Sequence, residues 1–184
     1  MRTVSNENFG LVIAYVVPGA TVLAGAGLLC RPVDRWLSWS AASGPTVSGF
    51  LYATLASIGL GVFVNTLRLL TVDAFHHRTG IRKRRWEYGQ LQRNMAAIEF
   101  VVLNQFRFYQ FHGNLVIALG LLLCEMIVAG QATTGVVLLV VAAQTILFVA
   151  SRQLLRNYYL RLGDVLGADV RDGAARGNTH SESE

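Results

Sequence analysis

The chain has 184 residues, of which 53% are hydrophobic, and a formal net charge of +5. A soluble domain of this size could not bury so much apolar surface, and the uncovered patches would aggregate. The composition and the positive mean hydropathy therefore exclude an ordinary soluble globular protein, and the length leaves room for one domain.

Four long apolar stretches follow one another along the chain, at residues 9–29, 47–67, 113–131 and 132–151. Three of them contain no charged residue, and the third contains only Glu125. About 20 helical residues, rising 1.5 Å each, cross a hydrocarbon core of roughly 30 Å. We therefore expect an all-α integral membrane protein with four transmembrane helices, in which residues 1–170 form a single domain.

The basic residues outside these stretches are distributed unevenly. With four crossings, fourteen Lys and Arg residues fall on one side of the membrane and two on the other. The positive-inside rule then places both termini and the segment 68–112 in the cytoplasm. The strong preference for Arg over Lys indicates a GC-rich bacterial source, so the expected location is the inner (plasma) membrane. A cleavable signal peptide at residues 1–30 is the alternative for the first stretch, and it leaves the other crossings unchanged.

Helical patterns continue beyond the apolar stretches on the cytoplasmic side. The second helix is expected to run past Arg68 to a break at Gly80. Residues 88–110 carry apolar side chains at three- and four-residue spacing, which predicts an amphipathic helix leading into the third span. The fourth span is expected to continue as a cytoplasmic helix at 152–168, and the small, polar residues 171–184 predict a disordered tail.

Small and polar residues within the stretches predict how the helices pack. Ala53, Ser57 and Gly61 are spaced four residues apart and form a smooth stripe on the second helix. Lipid gives helices no hydrophobic reason to associate, so small residues and interhelical hydrogen bonds must hold them together. Asn65 and Gln144 are the predicted interhelical hydrogen-bond partners.

Glu125 is the strongest functional candidate in the sequence. A carboxylate within a span costs about 2.5–3.5 kcal/mol near the helix centre and is by default a functional hypothesis. Glu125 lies close to the outer end of its span, however, so it could instead reach the interface or pair with Arg31 or Arg35. The sequence leaves both interpretations open.

Asp73, His76 and His77 form the one pattern that resembles a metal site. Their spacing places them on one side of a helix, and imidazole with carboxylate is a suitable ligand set for iron or zinc. The chain has only four His, too few for a histidine-rich di-iron site, so no metal or other cofactor is expected. No phosphate-binding loop, nucleophile elbow or zinc motif occurs, so the chain is not expected to be an enzyme.

One dense basic run lies in the cytoplasmic segment and consists of Arg82, Lys83, Arg84 and Arg85. Each charge near an anionic leaflet contributes about 1 kcal/mol of attraction. Anionic lipid headgroups are the expected partner, and nucleic acid is the weaker alternative.

Three functional hypotheses follow from these features. The first is a small, non-enzymatic membrane protein that assembles with itself or with a partner protein through small-residue faces and cytoplasmic helices. The second is an oligomeric ion channel or minimal transporter that uses Glu125 and Gln144. The third and weakest is a membrane metalloenzyme that uses Asp73, His76 and His77.

Overall fold

The fold is a set of long packed helices. The structure, a computed structural model, describes residues 6–37, 47–81 and 95–166. Those residues are almost entirely helical and include no strand. The elements are α1 (Asn6–Leu29), α2 (Arg31–Leu37), α3 (Val47–Arg68), a π-helical turn (Leu69–Asp73), α4 (Ala74–Arg78), α5 (Met95–Val101), a second π-helical turn (Val102–Phe106), α6 (Arg107–Val128) and α7 (Thr134–Val165).

Three helical segments in the described part of the chain are long and apolar enough to cross a membrane: Val47–Arg78, Arg107–Val128 and Thr134–Val165. The apolar part of α1, Ile13–Leu29, is shorter than these three. The all-helical prediction is therefore confirmed for the described residues, and the helices are consistent with a membrane protein. The number of spans stays a prediction.

Two helices end at glycines, and the first of these, Gly80, is the predicted break. Gly80 has a φ of +102° and Gly130 a φ of +71°, which glycine adopts without a steric penalty. After each of them an amide reaches back to a carbonyl five residues earlier, Ile81 N to His76 O and Gln131 N to Met126 O. This pattern closes a helix with a Schellman-type cap. The predicted extension of the fourth span is present as one helix, α7, which has 32 residues.

α1 and α3 cross as antiparallel helices at very short range. A Cβ at Gly19 would overlap the Ser57 carbonyl, and a Cβ at Gly61 would overlap the Tyr15 carbonyl. Two of the three stripe residues, Ser57 and Gly61, are buried here, while Ala53 is partly buried one turn away. The small-residue stripe is therefore occupied within the chain, because α1 covers it.

α6 lies between α1 and α7. It runs parallel to α1, since Asn114 contacts Ala14 and Glu125 contacts Gly25, and antiparallel to α7 after the turn at Gly130. The apolar core at the centre joins Val22, Val64 and Ala118 of α1, α3 and α6. We call the end of the bundle that holds α4 and α5 the collar end, and the end that holds Gly130 the turn end.

Candidate functional site

A buried ion pair lies at the collar end, and the first π-helical turn makes it possible. Arg68 Nη1 donates to Asp73 Oδ1 at 3.0 Å, and the Arg68 side chain is 1% exposed. Residues five apart in an α-helix do not face each other. The π-helical turn at Leu69–Asp73 widens the helix and brings the two side chains together. The pair therefore joins a fully buried guanidinium to a mostly buried carboxylate.

Tyr109 completes the surroundings of the Arg68–Asp73 pair. Its hydroxyl donates to Asp73 Oδ1 at 2.5 Å, and the Arg68 guanidinium carbon lies 4.9 Å from the centre of its ring. A desolvated cation over an aromatic ring gains about 2 kcal/mol. Gly113 provides the space for the Arg68 side chain, because a Cβ there would lie 2.7 Å from Arg68 Cδ. α6 thus supplies a hydrogen bond to Asp73, an aromatic ring to Arg68 and the space that the Arg68 side chain occupies.

His76 joins α4 to α7 within the same region. Its Nε2 lies 3.0 Å from Ser151 Oγ, and the Ser151 hydroxyl donates its single proton to the Phe148 carbonyl at 3.1 Å. This arrangement favours Ser151 Oγ as the acceptor and the Nε2–H tautomer of His76 as the donor. Both side chains are fully buried. We call Arg68, Asp73, His76, Tyr109 and Ser151 the polar cluster.

The protonation states of the polar cluster follow from burial. His76 and Tyr109 lie in the segment 68–112, outside the apolar stretches. Burial lowers the pKa of His76, and the nearby Arg152 lowers it further. Burial raises the pKa of the Tyr109 hydroxyl, and so does its hydrogen bond to Asp73. His76 is therefore neutral and Tyr109 a protonated donor at neutral pH.

The three weak metal candidates do not converge. Asp73 binds Arg68 and Tyr109, and His76 binds Ser151. His77 Nδ1 lies 2.6 Å from the Asp73 backbone carbonyl, so it is satisfied locally. No three His, Cys, Asp or Glu side chains in the described segments are placed to hold a metal ion. Helical spacing predicts that the three residues share one side of a helix, but it does not predict that side chains of α6 and α7 engage Asp73 and His76.

Asn114 compensates for a proline in α1. Pro18 has no N–H, so the Ala14 carbonyl, four residues earlier, has no partner within its own helix. Asn114 Nδ2 donates to that carbonyl at 2.9 Å from the neighbouring helix. Both Ala14 and Asn114 are buried, the latter completely. A helix-breaking residue is thus accommodated by an interhelical hydrogen bond, as membrane interiors require.

Of the two predicted interhelical hydrogen-bond partners, Gln144 makes such a bond and the side-chain oxygen of Asn65 does not. Gln144 Nε2 donates to the Val116 carbonyl of α6 at 3.0 Å, and Gly120 leaves the space for it. Asn65 is partly buried, and its Oδ1 has no hydrogen-bond partner. Gln144 therefore links α7 to α6, whereas Asn65 forms no such link through its oxygen.

Glu125 lies in the α1–α6 contact near the turn end. Its carboxylate packs against Gly25, where a Cβ would overlap Oε2, and that buried oxygen has no hydrogen-bond partner. Arg31 and Arg35 are both described, and neither forms a salt bridge with it. Gln144 lies in a different contact, between α6 and α7. The structure therefore does not bring Glu125 and Gln144 together along one path.

Several site residues lie where the sequence alone did not point. The sequence pattern assigns Arg68 only to the basic side of the membrane, and it does not single out Tyr109, Asn114 or Ser151. The one available signal was Pro18, because its missing N–H requires a donor from elsewhere. The predicted lipid-binding run Arg82–Arg85 and the tail 171–184 lie outside the described residues.

The chain was compared with protein families, curated proteins and solved structures. No protein-family model, no curated protein and no solved structure matches this chain.

Proposed function

We propose that this chain is a non-enzymatic, four-span membrane protein with both termini in the cytoplasm, which works by assembling with a second copy through α7. Anionic lipid headgroups contact its cytoplasmic face, including the run Arg82–Arg85. Such a protein serves as a scaffold or accessory subunit in the inner membrane.

The uncovered face of α7 is the observation that carries the proposal. Five of its exposed residues recur at alternating three- and four-residue steps, the spacing of a helix–helix seam: Leu139, Ala142, Ile146, Val149 and Gln153. Leu139 and Ile146 are 71% and 69% exposed. Small Ala142 lies between them and allows close approach of another helix, which membrane packing favours.

The rest of the fold supports α7 rather than α3 as the assembling helix. The small-residue stripe on α3 is covered by α1, so it is not available to a partner. The exposed face of α3 carries bulky side chains such as Phe50, Leu55 and Phe63, which suit lipid, together with the small residue Gly59. The non-enzymatic part of the proposal is supported by the polar cluster, in which the Asp73 carboxylate and the His76 Nε2 are engaged by neighbouring side chains.

Cysteine cross-linking in native membranes tests the assembly. Cys30 and Cys124 are exposed and free, so both are first replaced by Ser. Ile146→Cys is expected to give an oxidised dimer, whereas the matched control Ile58→Cys on α3 is not. Equal cross-linking at both positions, or none at Ile146→Cys, contradicts the proposal.

The membrane placement has its own test. In the same cysteine-free background, Arg84→Cys is expected to react with a membrane-permeant maleimide but not with an impermeant one added to intact cells. Labelling by the impermeant reagent from outside would reverse the proposed orientation.

A proton or ion pathway through Glu125 is the second candidate function. The unpartnered carboxylate oxygen against Gly25 supports it, because an unsatisfied buried carboxylate is costly and needs a compensating role. Gln144 is engaged by Val116, so this version depends on Glu125 alone. Reconstituted liposomes with a measurable ion or proton flux that Glu125→Gln abolishes would support it, and no flux, or flux unchanged in the variant, would exclude it.

A further inference from the structure

A cavity opens at the collar end between the end of α4 and the cytoplasmic part of α7. It has a volume of about 330 Å³, and its walls include Thr79, Gly80, Ile81, Arg152 and Arg156. Arg152 comes directly after the apolar stretch 132–151. The cavity therefore lies at the depth where the apolar part of α7 gives way to polar residues, separate from the α7 seam and from the polar cluster.

The charge of this cavity is positive. Among the described residues, two arginines and no carboxylate line it. Arg156, one helical turn after Arg152, is exposed and forms no hydrogen bond or ion pair with the described residues. A guanidinium presents several N–H donors in a fork that matches the oxygens of a phosphate group. Arg156 is thus available to bind an anion.

Arg152, on the same face of α7 as Arg156, is held in a fixed position by the end of α4. Its Nη1 donates to Thr79 Oγ1, and its Nη2 donates to the Thr79 carbonyl at 2.9 Å. The Thr79 hydroxyl in turn donates to the Phe75 carbonyl. These bonds tie the guanidinium to the cap of α4, so its charge is oriented before any ligand arrives. A pre-oriented group loses less entropy when it binds.

The sequence that follows the cavity wall is basic, and one further wall residue carries a hydroxyl. Ile81, which lines the cavity, is followed directly along the chain by the run Arg82–Arg85. Tyr159, also in the wall, offers a hydroxyl beside His77 Nε2 at 3.3 Å. Basic pockets between helices on the cytoplasmic side of a membrane are a known arrangement for phosphate-bearing headgroups.

We infer that this cavity binds a phosphate group, with Arg156 and Arg152 as its ligands. The phosphate comes either from the headgroup of an anionic phospholipid or from a small soluble phosphate ester. The lipid source rests on the proposed membrane placement, because only then does the cavity meet the headgroup layer. The site is distinct from the run Arg82–Arg85, which was expected to attract lipid without a defined cavity.

Thermal unfolding of the detergent-purified protein tests the inference. Short-chain phosphatidylglycerol, short-chain phosphatidylcholine, inorganic phosphate and glycerol 3-phosphate are titrated separately. Arg156→Gln is the test variant, since it removes a charge that no described residue pairs with, and Arg161→Gln is the matched control on the same helix outside the cavity. Loss of one charge contact is expected to weaken the apparent affinity about fivefold or more.

Each outcome decides one point. Stabilisation by phosphatidylglycerol alone, reduced in Arg156→Gln and kept in Arg161→Gln, assigns a lipid headgroup. Equal stabilisation by glycerol 3-phosphate with the same dependence on Arg156 assigns a soluble phosphate. Identical binding in the two variants, or stabilisation by none of the phosphates, overturns the inference. Arg152→Gln provides a second variant, and the cross-linking and labelling experiments judge the assembly and the membrane placement independently.

Discussion

α1 and α7 lie on two sides of α6 and are held there by different means. α1 is joined to its neighbours by close backbone contacts at Gly19 and Gly61 and by one interhelical hydrogen bond at Ala14. α7 leaves most of its length uncovered, and polar side chains attach it at Gln144, Ser151 and Arg152. Because lipid provides no hydrophobic gain for packing, stability should be concentrated where small residues allow backbones to meet.

Gly61→Leu should have the largest effect. A Cβ at this position overlaps the Tyr15 backbone, which can move only if α1 and α3 separate. We expect a loss of at least about 4 kcal/mol of unfolding free energy, or no folded protein. Gly59→Leu is the control, since a Cβ there meets nothing within 4 Å. The measurement is unfolding by SDS titration in mixed micelles, and equal losses in both variants would show that backbone contact does not hold α1.

Arg68→Met should cause the second-largest loss of unfolding free energy, because it leaves the Asp73 carboxylate without its cation. Breaking a buried ion pair costs about 3 kcal/mol or more. The double variant Arg68→Met with Asp73→Asn should recover part of that loss, since it removes the unpaired charge as well. The same SDS titrations form a double-mutant cycle, and additive effects would mean that the pair is not coupled.

Asn114→Leu should cost about 1–2 kcal/mol, because the Ala14 carbonyl then loses its donor. Pro18→Ala restores an N–H within α1, so this change in the Asn114→Leu background should return stability. If Pro18→Ala has the same effect with and without Asn114, the hydrogen bond does not compensate for the proline.

Acidification tests the attachment of α7 at the collar end. The pKa of His76 is below its ordinary value of 6.5 in the folded protein, so the folded state resists protonation. Stability is therefore highest well above pH 6.5 and should fall as the pH drops through 6.5 towards 5.5. His76→Gln should flatten this part of the curve in detergent, whereas His112→Gln, a control on α6, should not. A curve that His76→Gln leaves unchanged would contradict the assignment.

Gln144→Leu should have the smallest effect. Interhelical side-chain hydrogen bonds in membranes contribute about 0.6 kcal/mol on average. A loss of that size, measured in the same micelles, would support a lightly held α7 whose outer face is free to meet a second copy. A loss as large as that of Gly61→Leu would remove the contrast between the two helices.

Several features of the fold could be read from residue pattern alone. Long uncharged apolar stretches are forced into helices in a bilayer, because every backbone N–H and C=O must bond within its own segment. The continuation of α3 and α7 beyond these stretches followed from apolar spacing, and the break at Gly80 from the residue itself. The partners of Arg68 and Asp73 could not be read in this way, since ordinary helical spacing keeps residues five apart on different faces.

Local sequence thus determined which segments are helical, roughly where they end and which of them suit a lipid environment. Only the tertiary structure decided that α1 covers the stripe at Ser57 and Gly61, that Asn114 bonds the carbonyl freed by Pro18, and that Glu125 faces Gly25. The physical reason is the sequence separation of the interacting residues. Helix formation and the transfer of a segment into lipid depend on neighbours within a few residues, whereas these contacts join residues far apart in the chain. Their geometry depends on how the helices cross and on the π-helical turn, which short-range pattern does not specify.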